Sequence, residues 1–452
     1  MTIDRSRLQR LLADERAAFA AAHPRSAGAY ANAQPNLLGG VPMTWMNMAA
    51  GGFPLYLARA RGARVTDIDD REYVDFALGD TGAMAGHSPR PTVEAIVRRV
   101  QDDGGITAMM PTSDAAWVGA ELARRFGPPV WSFTLTATDA NRWAIRLARQ
   151  VTGRPKILVY AYCYHGSVDE TFAVIGPDGR AVARPGNVGA PVDLAVTTRV
   201  VEFNDLEALE RELAHEDVAV VLMEPALTNI GIVLPEPGYL EAVRRLTREH
   251  GTLLIDDETH TFSAGPGGAT AAWGLEPDIV TIGKSIAGGI PIGAYGISRE
   301  LAEAIGADEE ADIEDVGGVG GTLAGNALSL AAARATLESV LTEEAFEGMT
   351  ARATRFTAGV QRVIDDASMP WTVTQLGARS EYRYAAPAPR TGSESAAAAD
   401  IELDDYLHTY LANRGVLITP FHNMALMCPD TTDADVDRHT EAFAAGVAAL
   451  SV

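Results

Sequence analysis

Residues 277–296 read PDIVTIGKSIAGGIPIGAYG, and this stretch decides the fold. The run PDIVTIG (277–283) is short and mostly apolar, as a buried parallel strand would be. Lys284 follows it directly, and Gly288, Gly289, Pro291 and Gly293 then read as a glycine-rich turn. A lysine at a strand end is ordinarily a surface residue. Held in a partly desolvated cleft, its amine instead loses proton affinity and becomes a nucleophile able to condense with an aldehyde.

Upstream, GTLLIDDETHT (251–261) ends another apolar run on Asp256, Asp257 and Glu258. Acids leaving a buried strand need a partner or a role. The runs WSFTLT (131–136), KILVYAY (156–162) and VAVVLMEP (218–225) are of the same kind and alternate with helical stretches. That alternation describes parallel strands of an α/β sheet, whose ligands bind at the C-terminal strand ends. In TLTATDANRWAIRLARQ (134–150) a strand passes through small polar residues into a helix. The free N–H groups and dipole of a helix start suit a phosphate ester, although Thr138 or Asp139 could equally be a plain cap.

Residues 1–23 read as a charged amphipathic helix rather than a signal peptide, and GGVPMTWMNMAAGGFP (39–54) as an arm or rim. YLARARGARVTDIDDREYVDFA (56–77) has the alternation of a hairpin or short meander. After residue 326 the chain turns helical, then passes through short strands (371–377, 380–385, 415–420) to a last helix. The expected division is an N-terminal arm with part of a small domain (1–88), a large domain (89–330) and the rest of the small α+β domain (331–452). Two stretches, 306–321 and 387–400, read as mobile loops. The chain of 452 residues carries 37 Lys and Arg against 60 Asp and Glu, a formal charge of −23. Such a charge repels phosphate backbones and anionic lipid, so neither nucleic acid nor membrane is expected as a partner, and a cytoplasmic location is. Cys163 and Cys428 lack metal-ligand spacing, and no metal is expected.

The segments TATDAN (136–141), YHG (164–166), MEP (223–225), DDET (256–259), TIGKSIAGGIPIGAYG (281–296) and GTLAGNALS (321–329) occur in an order and spacing that resembles the class III aminotransferases. These are pyridoxal 5′-phosphate (PLP) enzymes of transferase fold type I, with a large, mostly parallel sheet flanked by helices and a smaller α+β domain built from both termini. NIGIVLPEPGYL (229–240) is similar to the branch of glutamate-1-semialdehyde aminomutases and amine or β-amino acid transaminases. The resemblance implies that Lys284 carries PLP as a Schiff base and moves a substrate proton. It implies that Asp257 faces the pyridine nitrogen, the interval 284 − 257 = 27 matching the family and favouring Asp257 over Asp256. Tyr164 and Thr259 would lie on the two ring faces, with His165 and Glu224 also at the cofactor. Thr136, Ala137 and Thr138 would hold the phosphate, joined by Thr322 of a second subunit, so a homodimer with shared sites, or a tetramer, is implied.

The chain departs from the family at several places. Thr136-Ala137-Thr138-Asp139 replaces Ser-Gly-Thr-Glu, and a glutamine that approaches the cofactor is replaced around Leu227. Trp45 and Phe421 stand where β-amino acid transaminases have carboxylate-binding arginines, and Met424 where the aminomutases have a glutamate. Trp45, Met46, Met48, Phe421 and Met424 are therefore expected to build an apolar pocket. Arg379, Arg383 or His422 would bind a carboxylate, unless the arginines form ordinary surface ion pairs with Glu381 or a neighbour. The expected activity is a ping-pong transaminase that moves an amino group between a hydrophobic ω- or aryl/alkyl amine and a keto acid such as pyruvate. The alternatives are an aminomutase, a racemase or a β-amino acid transaminase. A nucleotide-binding protein using TATDAN and GGIPIG as phosphate loops would leave Lys284 without a role.

Overall fold

Short apolar runs pack as sheet strands between helices, and the five quoted runs form such strands: Lys156–Tyr160, Val218–Met223, Leu253–Asp257 and Ile279–Gly283 within the sheet, and Val130–Thr134 at its edge. The computed structural model describes residues 3–189, 192–307 and 319–450. The described chain divides into two compact units.

The unit made of 90–343 and 389–397 is built on a seven-stranded sheet. Its order is 130–134, 293–297, 279–283, 253–257, 218–223, 156–160 and 198–201. All neighbours are parallel except Gly293–Ile297, which runs antiparallel to both Ile279–Gly283 and Val130–Thr134. The glycine-rich turn therefore ends sooner than its composition implies. GAYGI is a buried strand, because a Cβ at Gly296 would enter the Trp131 ring and one at Gly293 the backbone at Thr136. Helices Ala137–Thr152 and Tyr239–Glu249 bury Ala144, Ile145, Val243 and Leu246 in the core that holds the sheet's apolar residues. The expected boundary near 330 falls later, at Glu343, because Ala327–Ser339 packs on the helices Arg90–Arg98 and Ser113–Phe126 of this unit.

The unit made of 1–89, 344–388 and 398–452 draws on both ends of the chain. The meander read at 56–77 is the strands Leu57–Arg61, Arg64–Asp67 and Glu72–Asp75, joined in parallel by Val416–Leu417. A second, antiparallel sheet joins Thr372–Leu376, Arg379–Arg383 and Met424–Leu426. Helices Arg5–Ala22, Glu343–Asp366, Ile401–Asn413 and Asp433–Leu450 contribute Leu8, Phe356, Leu407 and Phe443 to its interior. Of the two stretches read as loops, residues 308–318 lie outside the described residues. The other contains a helix, Gly392–Ala397, with Gly392 and Ser395 buried, so it is not a loose linker. Gly392 has no room for a Cβ against the Ala161 carbonyl, which only the folded partner segment reveals. No helix among the described residues is long and apolar enough to cross a membrane.

Candidate active site

Strand pairing alone brings the acid and the lysine together. Asp257 ends one strand and is in register with Thr281 of the next, so Lys284 emerges just past the neighbouring strand end. Lys284 opens a 3₁₀ turn with φ of 53°, the left-handed region that a side chain with a Cβ seldom occupies, and its Nζ lies 2.8 Å from His260 Nε2. His260 belongs to the single turn Glu258–Thr261, which Asp257 caps by accepting the Thr259 N–H at 3.1 Å.

Asp257 is buried, and its carboxylate also accepts Asn141 Nδ2–H at 2.8 Å and His165 Nδ1–H at 2.9 Å. Burial pushes its pKa up, but the hydrogen bonds from His165, Thr259 and Asn141, with the charge on His165, outweigh burial and hold the carboxyl below its ordinary range. Burial alone would keep His165 neutral, and Cys163 and Asp257 together raise its pKa well above the usual histidine value. Asn141 is oriented by the Thr281 hydroxyl, which donates to its Oδ1 at 2.6 Å, and it donates to the His165 carbonyl at 3.1 Å. Asp256 points to the other face of the strand, where the Thr270 hydroxyl lies 3.5 Å away. It is Asp257, not Asp256, that shares this network.

Helix Ala137–Thr152 starts beside these strand ends. Its cap is Thr136, whose Oγ1 accepts the Asp139 N–H at 3.1 Å, and the amides of Ala137 and Thr138 are not used by that cap. Thr138 Oγ1 accepts the Ser167 N–H at 3.1 Å, and Gly166, at φ 78°, lies so close that a Cβ there would collide with the Thr138 side chain. Tyr164 is half-buried, with its ring edge-on to Phe172 at 6.2 Å. Its N–H donates to Glu224 Oε1 at 3.2 Å. The other Glu224 oxygen accepts the Thr228 N–H and hydroxyl, so Glu224 holds Tyr164 from behind. Burial pushes the Glu224 pKa up. Thr322 is exposed on its own chain.

Two buried polar atoms of this network, His165 Nε2 and the Thr259 hydroxyl, have no hydrogen-bond partner among the described residues. Together with an ionised carboxylate, a helix start with unused amides and a half-buried tyrosine, they fit a charged, phosphorylated aromatic ring condensed with a lysine. Asn141 and Thr281 lie inside quoted motifs, yet nothing in the sequence shows that they would meet at Asp257. His260 carries no sequence signal at all.

The residues expected at the substrate fall in the other unit. Trp45 meets Phe421 edge-on at 5.3 Å, and His422 Nδ1 lies 3.4 Å from Glu381. Arg379 is not at the surface, and its ion-pair neighbour is Asp80. It is 1% exposed, with Nη2 3.2 Å from the Thr81 hydroxyl and 3.5 Å from Asp80, because its strand is covered on both faces. Arg383, on the same strand, is buried too. Of the residues expected to build an apolar pocket, Met46 lines a cavity of this unit. That cavity, of about 480 Å³, is lined by Phe19, Val41, Met46, Leu55, Tyr56 and Ile418, among others, whereas Met424 is buried within the sheet strand Met424–Leu426.

The aminotransferase class-III family matches residues 46–446 of the chain. A glutamate-1-semialdehyde 2,1-aminomutase of Desulfitobacterium hafniense is 33% identical over 420 residues, 91% of this chain and 95% of that protein. The crystal structure of a glutamate-1-semialdehyde aminomutase from Pseudomonas aeruginosa superposes with a TM-score of 0.97 at 49% identity, covering 100% of both chains. An omega-transaminase from Sphaerobacter thermophilus superposes at 0.85 with 29% identity, over 95% of this chain and 98% of that one.

Proposed function

The chain belongs to the class III aminotransferases, PLP enzymes of fold type I, and from that premise we propose that it is an aminomutase. It would move an amino group between neighbouring carbons of one small substrate of the glutamate-1-semialdehyde kind. The observation that carries this reading is the near-half identity over the whole length to the Pseudomonas aeruginosa aminomutase. The transaminase expected from the apolar rim is the second reading. What favours it is the omega-transaminase likeness.

When bound, PLP supplies an aldehyde carbon and an electron-withdrawing ring. Asp257, kept ionised by its three donors, would hold a proton on the ring nitrogen. Tyr164 and Thr259 would flank the ring and exclude water from its faces. The amides of Ala137 and Thr138, at the positive end of a helix dipole, would bind the phosphate. Thr322 would reach that phosphate from a second copy of the chain, which its exposure supports. Lys284 Nζ would take a proton from one substrate carbon and deliver it elsewhere on the same molecule.

An aminomutase turns over with one substrate, whereas a transaminase stops after a half-reaction until an acceptor arrives. Purified holoenzyme given glutamate-1-semialdehyde alone should release 5-aminolevulinate continuously, with Lys284→Ala inactive. An absorption change that halts at one equivalent and resumes with pyruvate would establish the transaminase reading instead.

A further inference from the structure

We propose that His260 is a positioning residue acting through Lys284: its Nε2 accepts a proton from the Lys284 ammonium as that amine attacks a carbonyl, and returns it afterwards. The pair is 2.8 Å apart, and His260 is only 8% exposed. A lysine ammonium brought into such a place needs an acceptor. A neutral imidazole with its proton on Nδ1 offers an Nε2 lone pair there. The N–H bond at Nζ breaks, one forms at Nε2, and no electrons change hands.

Both partners are held in place. The turn Glu258–Thr261 is capped by Asp257, and Glu258 anchors it from below by accepting the Ala269 N–H at 3.1 Å and the Thr261 hydroxyl at 2.6 Å. Lys284 is aimed by its left-handed backbone. An imidazolium at 260 would stand one helical turn from the ionised Asp257, which favours its charge. The other titratable groups around the pair are Asp256 and Glu258 at the same strand end and His165 facing Asp257. The strand Ile279–Gly283 and the helix Gly268–Ala272, packed against the His260 turn, carry none, and the helix Ala327–Ser339, packed against the Lys284 turn, carries Arg334 and Glu338, which pair with each other and with Asp114.

The inference rests on Lys284 being the carbonyl-condensing lysine and not on which substrate follows. Apo-protein of full length is mixed with PLP, and separately with benzaldehyde, and the imine is trapped with borohydride and located by mass spectrometry across a range of pH. The wild type, His260→Gln, His260→Met and Lys284→Ala are compared, with melting temperatures as a control. In both His260 variants the trapping rate at neutral pH is expected to fall by about tenfold, and the loss to shrink at alkaline pH, where hydroxide can take the proton instead. A folded His260→Gln or His260→Met that traps at the wild-type rate at neutral pH would overturn the proposal. A wild type not trapped at Lys284 would remove the lysine assignment first, and the role of His260 with it.

Discussion

Asp256 and Asp257 are consecutive and both buried, yet their carboxyl groups are driven in opposite directions. Strand geometry turns them to opposite faces. Asp257 meets three donors and is held below its ordinary pKa, whereas Asp256 is raised well above it by burial and by the nearby Glu258. Replacing Asp257 with Asn keeps the shape and removes the charge. Turnover is expected to drop by about 100-fold or more with little change in melting temperature, measured in parallel assays of the two proteins. Asp256 predicts a pH effect. Between the unfolded value near 3.8 and its raised folded value, the native chain holds a proton that the unfolded chain has lost. Its contribution to stability is therefore complete below the unfolded value and is lost as pH rises through the folded one. Asp256→Asn removes that dependence. Denaturant titrations should find it gaining on the wild type with rising pH, at no more than about 1.4 kcal/mol per pH unit.

Elements matter here mainly through their ends. The start of helix Ala137–Thr152 is shaped by a glycine in another segment, Gly166, whose positive φ and missing Cβ let it lie against Thr138. Gly166→Ala should push Thr138 away and weaken PLP binding by about tenfold or more, read by equilibrium titration of apo-protein, while the global fold survives. Glycine also explains the strand that composition concealed. GAYGI has weak strand propensity, and its glycines are required by neighbours, Trp131 and Thr136, far away in sequence. The short helix Gly392–Ala397 was hidden for the same reason, since what orders it is packing against residues near 161 and 230 rather than its own Ser- and Ala-rich pattern.

At the scale of the whole molecule, the exposed Thr322 and the phosphate site proposed to be shared with a second copy predict a dimer that can be complemented. Lys284→Ala and Thr322→Glu chains should each be nearly inactive alone. After mixing under conditions that exchange subunits, about half the dimers are mixed, and each of these has one site with an intact lysine and an intact Thr322. About a quarter of wild-type activity should then return, measured per total chain. No recovery in dimers shown to have exchanged would exclude Thr322 from its neighbour's site.

The sequence by itself determined the α/β class, five of the seven strands of the large sheet, the pairing of an acid with Lys284 at adjacent strand ends, and the family. Each rests on local pattern: apolar runs of strand length, a glycine-rich turn after a lysine, a fixed interval between two residues. Only the tertiary structure decided which of two adjacent acids has its pKa lowered, that Asn141, Thr281 and His165 orient it, that His260 stands beside the lysine, and that Arg379 is tied to Asp80 and Thr81. These depend on which side of a strand faces which neighbour and on how much water is excluded there, and both are set by segments tens or hundreds of residues apart.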